Sequence, residues 1–336
     1  MHSSNASETD FFTPTIDDIR DAARQLDGMA VRTPLLESPF LNERAGGRIL
    51  VKAEVLQRTG SFKFRGAFNH ISRLNDEQLA AGVVAYSSGN HAQGVAAAAA
   101  MAGTTASIIM PSNAPALKIA NTKKLGARVI TYDRNAEDRE KIGEELARET
   151  GARLVRPYDD PWIIAGQGTV GLEIAEQCQK QNLAPDAILA PAGGGGLIAG
   201  TSLAAAADLP GTKVFACEPV GFDDHARSLQ SGERQKNAAD AASICDALLA
   251  PTPGELTFSI NRAHLAGGLA VTDREVEQAM AVAFSDLKIV VEPGGAVALA
   301  AVLSGKFDVQ GKTVVVITSG GNVDPDFFAN VLSQQT

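Results

Sequence analysis

The stretch KTVVVITSG, residues 312–320, decides the fold more than any other part of the chain. Its centre, residues 314–317, is continuously apolar instead of alternating, which is typical of a strand in a parallel sheet covered on both faces. Similar strand-like runs alternate with helix-like runs along the chain. The predicted strands are 82–87, 106–111, 127–132, 186–192 and 213–219, and the predicted helices are 91–102, 135–150, 167–181, 197–207, 273–287 and 295–304. The sequence therefore predicts a doubly wound α/β protein.

Composition narrows the function classes. The chain has 336 residues, enough for about two domains of roughly 150 residues each. Its 30 basic and 39 acidic residues leave a net charge of −9, which disfavours a nucleic-acid partner. Neither a signal peptide nor a run of about 18 apolar residues is found, so no membrane partner is expected and the cytoplasm is the predicted compartment. Cys178, Cys217 and Cys245 are predicted to be buried free thiols.

Ligands of doubly wound proteins bind at the carboxyl ends of the strands. Four glycine-rich or polar turns follow predicted strands or begin predicted helices. They are SFKFRGA (61–67), SSGNHAQG (87–94), PAGGGGLIAG (191–200) and TSGGN (318–322). Together these four turns indicate where the chemistry of the protein lies.

The first turn places Lys63 between two aromatic residues at a predicted helix start, with Ser61 as the expected N-cap. An ammonium there faces the positive end of the helix dipole, and Phe62 and Phe64 keep water away. Both effects lower the pKa of the amine. A neutral lysine amine attacks carbonyl groups, so Lys63 is a candidate Schiff-base lysine. The alternative is a lysine that extends past two core phenylalanines to reach solvent.

The second turn joins a strand that ends at Ser87 to a helix that begins near His91. Free backbone N–H groups at such a helix start form an anion site, and the side chain of Asn90 is placed to reach a phenolate or carboxylate. A plain capping turn is the alternative. A histidine in a first helical turn is more often structural than catalytic.

The third and fourth turns follow buried strands. Gly193–Gly196 has apolar flanks, unlike a linker, and lets successive N–H groups converge on a phosphate. A nicotinamide-binding turn is the rival interpretation, because Glu218 ends a later strand, but the spacing is GxGxxxG rather than GxGxxG. In the fourth turn, the Ser319 hydroxyl could hydrogen-bond a ring nitrogen without protonating it. A capping serine in a glycine turn is the alternative.

Together the four segments resemble the fold-type II (tryptophan synthase β-like) pyridoxal-phosphate enzymes, in the branch of threonine/serine dehydratases and serine racemases. The similarity runs from RTPLL (32–36) through AGQGTVGLEI (165–174) to SGGNVD (319–324). It implies two doubly wound α/β domains. Residues 82–155 would form a small domain inserted in a large cofactor-binding domain built from 1–81 and 156–336. The resemblance also implies pyridoxal phosphate as cofactor and a homodimer or homotetramer.

Site residues follow from the resemblance. Lys63 would hold the cofactor, with Phe62 beside its ring, Asn90 on its ring hydroxyl oxygen and Ser319 at its pyridine nitrogen. The phosphate would lie on Gly193, Gly194, Gly195 and Gly196. The substrate carboxylate would lie on the turn formed by Ser87, Ser88, Gly89, Asn90 and His91. Ser88 would face the α-carbon opposite Lys63 and could return a proton there. CEPVGFDD (217–224) resembles a divalent-cation site, with Glu218, the Phe222 carbonyl and Asp224 as ligands of Mg²⁺, Mn²⁺ or Ca²⁺.

The resemblance implies a dehydratase (ammonia-lyase) acting on a small hydroxy-amino acid. PYDDP (157–161) and PGELT (253–257) are similar to the dehydratases, so L-threonine or L-serine is the favoured substrate and 2-oxobutanoate or pyruvate the product. A 3-hydroxyaspartate dehydratase and a serine racemase are alternatives, because the Ser88 hydroxyl could return a proton to the α-carbon on the face opposite Lys63. A nicotinamide-dependent oxidoreductase represents a different class, and a non-catalytic binding protein ranks last.

Overall fold

The computed structural model describes residues 12–87, 89–114, 116–133 and 136–334. Ser88 therefore lies outside the described residues. The strands are β1 (Leu35–Glu37), β2 (Arg48–Ala53), β3 (Val83–Tyr86), β4 (Ala106–Pro111), β5 (Arg128–Tyr132), β6 (Arg153–Leu154), β7 (Ala187–Pro191), β8 (Lys213–Pro219), β9 (Leu265–Val271) and β10 (Thr313–Thr318).

The helices alternate with these strands. They are α1 (Ile16–Gln25), α2 (Pro39–Ala45), α3 (Lys63–Ile71), α4 (Asp76–Ala81), α5 (Asn90–Met101), α6 (Ala116–Lys124), α7 (Arg139–Thr150), α8 (Pro161–Lys180), α9 (Gly196–Asp208), α10 (Asp224–Ser231), α11 (Glu255–His264), α12 (Asp273–Val282), α13 (Pro293–Leu303) and α14 (Pro325–Ser333). Within the described ranges, no helix has the length and apolar character that a bilayer crossing requires.

The larger sheet has the strand order β1-β2-β10-β7-β8-β9, and all neighbours are parallel except β1 and β2. Strand β10 lies inside this sheet, between β2 and β7. Val314 and Val316 belong to one apolar core, on the side of α13. Val315 and Ile317 belong to the core on the opposite face, with residues of α8 and α9. Because both faces are covered, every residue of the run must be apolar, and the predicted doubly wound α/β fold is confirmed.

The smaller sheet has the order β5-β4-β3-β6, and its strands are all parallel. The core on one of its faces also contains Phe64 and Phe68 of α3, which lies outside the predicted small domain. Helix α3 thus shares an apolar core with the smaller sheet, and it packs against α5 and α8. The division at 82–155 stays a prediction. The helix that carries Lys63 lies where the two sheets meet.

Several element boundaries differ from the sequence prediction. Helix α8 begins at Pro161 instead of residue 167, because the Asp160 side chain accepts a hydrogen bond from the N–H of Ile163. Helix α12 gives way at Ala283 to a π-helical turn, and Lys288 then has φ 61°. The predicted irregular region 221–262 contains α10 and most of α11. Strands β1, β2, β6 and β9 were missed.

Candidate active site

A cavity collects residues from all four turns at the carboxyl ends of β3, β7 and β10. Tyr86 and Pro191 end two of these strands, and Ser319 follows the third. The predicted residues that line the cavity are Phe62, Lys63, Ser87, Gly89, Asn90, His91, Gly193, Gly194, Gly195, Gly196 and Ser319. Because these side chains share one cavity, a single ligand could contact all four turns.

Lys63 is the first residue of α3, and its amine faces the cavity. The Nζ atom donates a hydrogen bond to the backbone oxygen of Pro157 at 2.7 Å and lies 5.1 Å from the centre of the Phe62 ring. Desolvation lowers the pKa of the Lys63 amine to about 8. The predicted N-cap role of Ser61 is wrong, since its hydroxyl is buried with no hydrogen-bond partner among the described residues. A large neutral fraction of the amine is thus present near pH 8, which suits imine formation.

The segment Gly193–Gly196, here called the glycine loop, has no room for side chains. A Cβ on Gly194 would lie 2.2 Å from the ring of Tyr158, and one on Gly195 would lie 2.6 Å from Nε2 of His225. Gly195 also has φ +95°, a conformation that L-residues rarely adopt. The loop leads directly into α9, whose first N–H groups have no partners within the helix. This cradle fits a phosphate group.

Asn90 is held by two polar side chains. Its Nδ2 donates to Oε1 of Glu292, and its Oδ1 accepts from Nδ2 of Asn322 at 2.7 Å. Burial and the nearby Asp246 raise the pKa of the Glu292 carboxyl to about 8, so this group is mostly protonated at neutral pH. Sequence reasoning missed Glu292, because a glutamate before Pro293 is indistinguishable from an ordinary helix start. It is the N-cap residue of α13 and a cavity residue at once.

The contacts of His91 and Ser319 differ, because His91 uses its side chain and Ser319 uses its backbone oxygen. The Nε2 of His91 lies 2.9 Å from the backbone oxygen of Val155. Burial, together with Lys63, lowers the pKa of His91 to about 3, so the imidazole is neutral. A structural role for His91 is consistent with this contact. The backbone oxygen of Ser319 accepts a hydrogen bond from the N–H of Phe62 at 3.1 Å, which joins the lysine turn to the end of β10.

The predicted cation ligands Glu218 and Asp224 lie together, outside the cavity lining, with His225 as a third neighbour that sequence reasoning missed. Both carboxylate oxygens of Glu218 accept backbone N–H bonds from the start of α10, and Oε1 lies 3.4 Å from Nδ1 of His225. Burial and the Glu218 charge raise the pKa of Asp224 to about 6. Phe222 is buried in the turn that precedes Asp224. The cation itself stays a prediction.

Four further cavity residues were not predicted as site residues, although one of them, Tyr158, lies in the PYDDP motif (157–161). Lys118 and Asp246 form an ion pair between α6 and the loop before α11. Arg139 begins α7, with its guanidinium carbon 5.7 Å from the centre of the Tyr86 ring. Tyr158 covers the glycine loop. Lys118, Arg139 and Asp246 are far apart along the chain and carry no local pattern, so sequence inspection could not group them.

A buried amine with a lowered pKa, a glycine cradle for an anion and a ring of neutral hydrogen-bonding groups define an enzyme with a lysine-bound, phosphate-bearing cofactor. The family described as "Pyridoxal-phosphate dependent enzyme" matches residues 27–320. The chain belongs to this family. The predicted fold type II assignment and the pyridoxal-phosphate cofactor are thereby confirmed, and the nicotinamide-dependent alternative is set aside.

Similar proteins place the chain more narrowly. L-threo-3-hydroxyaspartate ammonia-lyase of Saccharomyces cerevisiae is 42% identical over 95% of this chain and 97% of that protein. Serine racemase of Dictyostelium discoideum is 40% identical over 96% of this chain and 98% of its own length. The crystal structure of the T.th. threonine deaminase matches with a TM-score of 0.87 and 42% identity, covering 93% of this chain and 99% of that one. The chain is a pyridoxal-phosphate-dependent carbon–nitrogen lyase.

Proposed function

We propose that the chain is an ammonia-lyase for L-threo-3-hydroxyaspartate, the alternative that the sequence ranked behind L-threonine and L-serine. The observation that carries this proposal is the pair of cations, Lys118 and Arg139, in the same cavity as Lys63. Threonine and serine side chains have no charge for these cations to bind, whereas 3-hydroxyaspartate carries a second carboxylate. The first relative described above bears the same activity in its name.

The charges of the cavity favour a substrate that carries a second carboxylate. Lys118 is paired with Asp246, and the carboxyl of Glu292 is mostly protonated at neutral pH. Arg139 has no ion-pair partner among the described residues. The guanidinium is therefore the group most available to a second substrate carboxylate, and its planar donors match carboxylate geometry.

We propose the following roles for the remaining residues. Pyridoxal phosphate, when bound, supplies the electron sink that lets a proton leave the α-carbon. We assign Lys63 to hold the cofactor and to take this proton, because its amine is substantially neutral near pH 8. Asn90 is assigned to the ring hydroxyl, Ser319 to the pyridine nitrogen and Gly193–Gly196 to the phosphate. The turn from Ser87 to His91 is assigned to the α-carboxylate. The net reaction converts the hydroxy-amino acid to a 2-oxo acid and ammonia.

Replacing Arg139 with glutamine tests the substrate. We expect kcat/KM for L-threo-3-hydroxyaspartate to fall by about 10- to 100-fold, the usual worth of a charged hydrogen bond, while kcat/KM for L-serine stays at the parent value. Lys141→Gln is the matched control, because Lys141 is an exposed cation on the same helix. An equal loss for both substrates would assign Arg139 to the fold instead of to the second carboxylate.

L-threonine/L-serine ammonia-lyase and serine racemase remain the second candidates, because relatives named L-threonine ammonia-lyase and serine racemase match nearly the whole chain. A racemase needs a proton donor on each face of the α-carbon, and Ser88 is the one proposed for the face opposite Lys63. Assays of the parent enzyme for 2-oxo acid and for inverted enantiomer would decide. If L-threonine or L-serine is the best substrate, the 3-hydroxyaspartate proposal is wrong.

The proposal includes a divalent cation at Glu218 and Asp224. Two buried carboxylates with ligand atoms within 4.8 Å of each other and of His225 repel unless a cation or protons intervene. Chelation is expected to lower the melting temperature by about 5 °C, and Mg²⁺ or Mn²⁺ to restore it. Asp224→Asn should remove the response, and Asp240→Asn, at an exposed acidic residue, should not. A parent protein that is indifferent to chelator would exclude a structural cation there.

A further inference from the structure

The short segment 157–160 contacts both anchors of the cofactor. The backbone oxygen of Pro157 accepts the hydrogen bond from Lys63, and the ring of Tyr158 lies against Gly194. Asp159 bonds to the start of α11, and the carboxylate of Asp160 caps α8. Four consecutive residues thus tie the lysine, the glycine loop and two helices together.

Asp159 stands out in this segment because of its backbone. Its φ is +56°, in the left-handed region, which costs a non-glycine residue about 1–2 kcal/mol. In this conformation its carboxylate accepts N–H bonds from Glu255 at 3.0 Å and Thr257 at 3.1 Å. The N-cap residue of α11 is Gly254, which has no side chain, so Asp159 supplies the missing cap from another part of the chain.

The cap matters because Thr257 holds the glycine loop. Thr257 is fully buried, and its hydroxyl donates to the backbone oxygen of Gly194 at 2.6 Å. The N–H of Gly254 donates to the same oxygen at 3.3 Å. In a planar trans peptide the C=O and the following N–H point in opposite directions. By holding the Gly194 oxygen, Thr257 therefore fixes where the Gly195 N–H points.

We propose that Thr257 and Asp159 are positioning residues for the cofactor phosphate. Asp159 sets the start of α11, and Thr257 orients the Gly194–Gly195 peptide so that its N–H faces the phosphate. This inference rests on the proposed assignment of Gly193–Gly196 as the phosphate site. Neither residue touches the reacting atoms in this role.

A comparison of two ligands distinguishes binding of the phosphate group from binding of the rest of the cofactor. Pyridoxal phosphate and pyridoxal share the ring and the aldehyde, but only the first has a phosphate. In the cofactor-stripped protein, Thr257→Val, which removes the hydroxyl at nearly constant volume, is expected to weaken pyridoxal phosphate binding about 10-fold. Pyridoxal binding should not change. Thr257→Ser keeps the hydroxyl and should behave as the parent.

Asp159 gives a second, independent variant. Asp159→Ala should weaken pyridoxal phosphate binding selectively, while Asp159→Asn, which tolerates positive φ and keeps one acceptor oxygen, should lose less. Ser259→Ala is the matched control on the same helix, because the exposed Ser259 hydroxyl donates its hydrogen bond within α11, to the backbone oxygen of Leu256. It should leave both dissociation constants unchanged.

The outcomes separate a failure of this inference from a failure of the assignment on which it rests, that of Gly193–Gly196 as the phosphate site. If the parent binds pyridoxal as tightly as pyridoxal phosphate, the glycine loop is not a phosphate site. If the parent prefers the phosphate form and Thr257→Val keeps the full preference, the positioning inference is overturned. It is also overturned if both ligands weaken together with the melting temperature, because a general loss of structure would then explain the effect.

Discussion

Lys63→Ala is expected to lower the rate of ammonia release by on the order of 10,000-fold or more, since it removes the residue proposed both to anchor the cofactor and to take the α-proton. The absorption band of lysine-bound pyridoxal phosphate should also disappear. The fold should survive, because the Lys63 side chain has one hydrogen bond among the described residues, to the Pro157 oxygen. Steady-state assays, absorption spectra and melting curves of parent and variant are the measurements.

Lys63→Arg is the matched control for this prediction. Arginine keeps a cation in the first turn of α3 but forms no imine with the cofactor, so this variant should be as inactive as Lys63→Ala. If either variant releases ammonia at the parent rate, Lys63 is not the cofactor lysine. If Lys63→Ala is inactive because it fails to fold, the role of Lys63 is tested with Lys63→Arg instead.

Gly195→Val is expected to weaken pyridoxal phosphate binding by about 100-fold or more. The new Cβ would lie 2.6 Å from Nε2 of His225 and 2.8 Å from Nδ2 of Asn261, so the loop must move away from the position that presents its N–H groups. Gly194→Val should act likewise, because its Cβ would lie 2.2 Å from the Tyr158 ring. The measurement is a titration of the cofactor-stripped proteins, with melting curves alongside.

Gly126→Val controls for backbone strain. Gly126 has φ +94°, nearly the same as the +95° of Gly195, but an added Cβ there meets no atom of the described residues within 4 Å. Both substitutions carry the cost of a positive φ, about 1–2 kcal/mol, and only the one at Gly195 also crowds the loop. Equal cofactor affinity in Gly195→Val and Gly126→Val would show that the glycine loop is an ordinary turn and does not bind the phosphate.

The sequence alone was sufficient wherever structure depends on neighbours along the chain. The apolar run of β10 requires a sheet covered on both faces, and the glycines at 193–196 require a close backbone approach. Lys63 could be singled out because its aromatic neighbours and its helix start are adjacent in sequence. The start of α7 is an exception: it lies at Arg139, four residues past the predicted start, because Asp138 accepts hydrogen bonds from the N–H groups of Glu140 and Lys141. This local capping signal was missed because hydrophobic periodicity does not report it.

Tertiary structure alone decided which distant groups share the cavity. Asn90 and Glu292 are 202 residues apart and bond to each other, and the raised pKa of Glu292 comes from burial that no local pattern reports. Arg139 and Lys118 reach the cavity from the smaller sheet, and Asp159 caps a helix whose first residue is 96 positions further on. Such contacts depend on how strands are ordered and helices packed. Local periodicity reveals which face of an element is buried, but not which other element covers it.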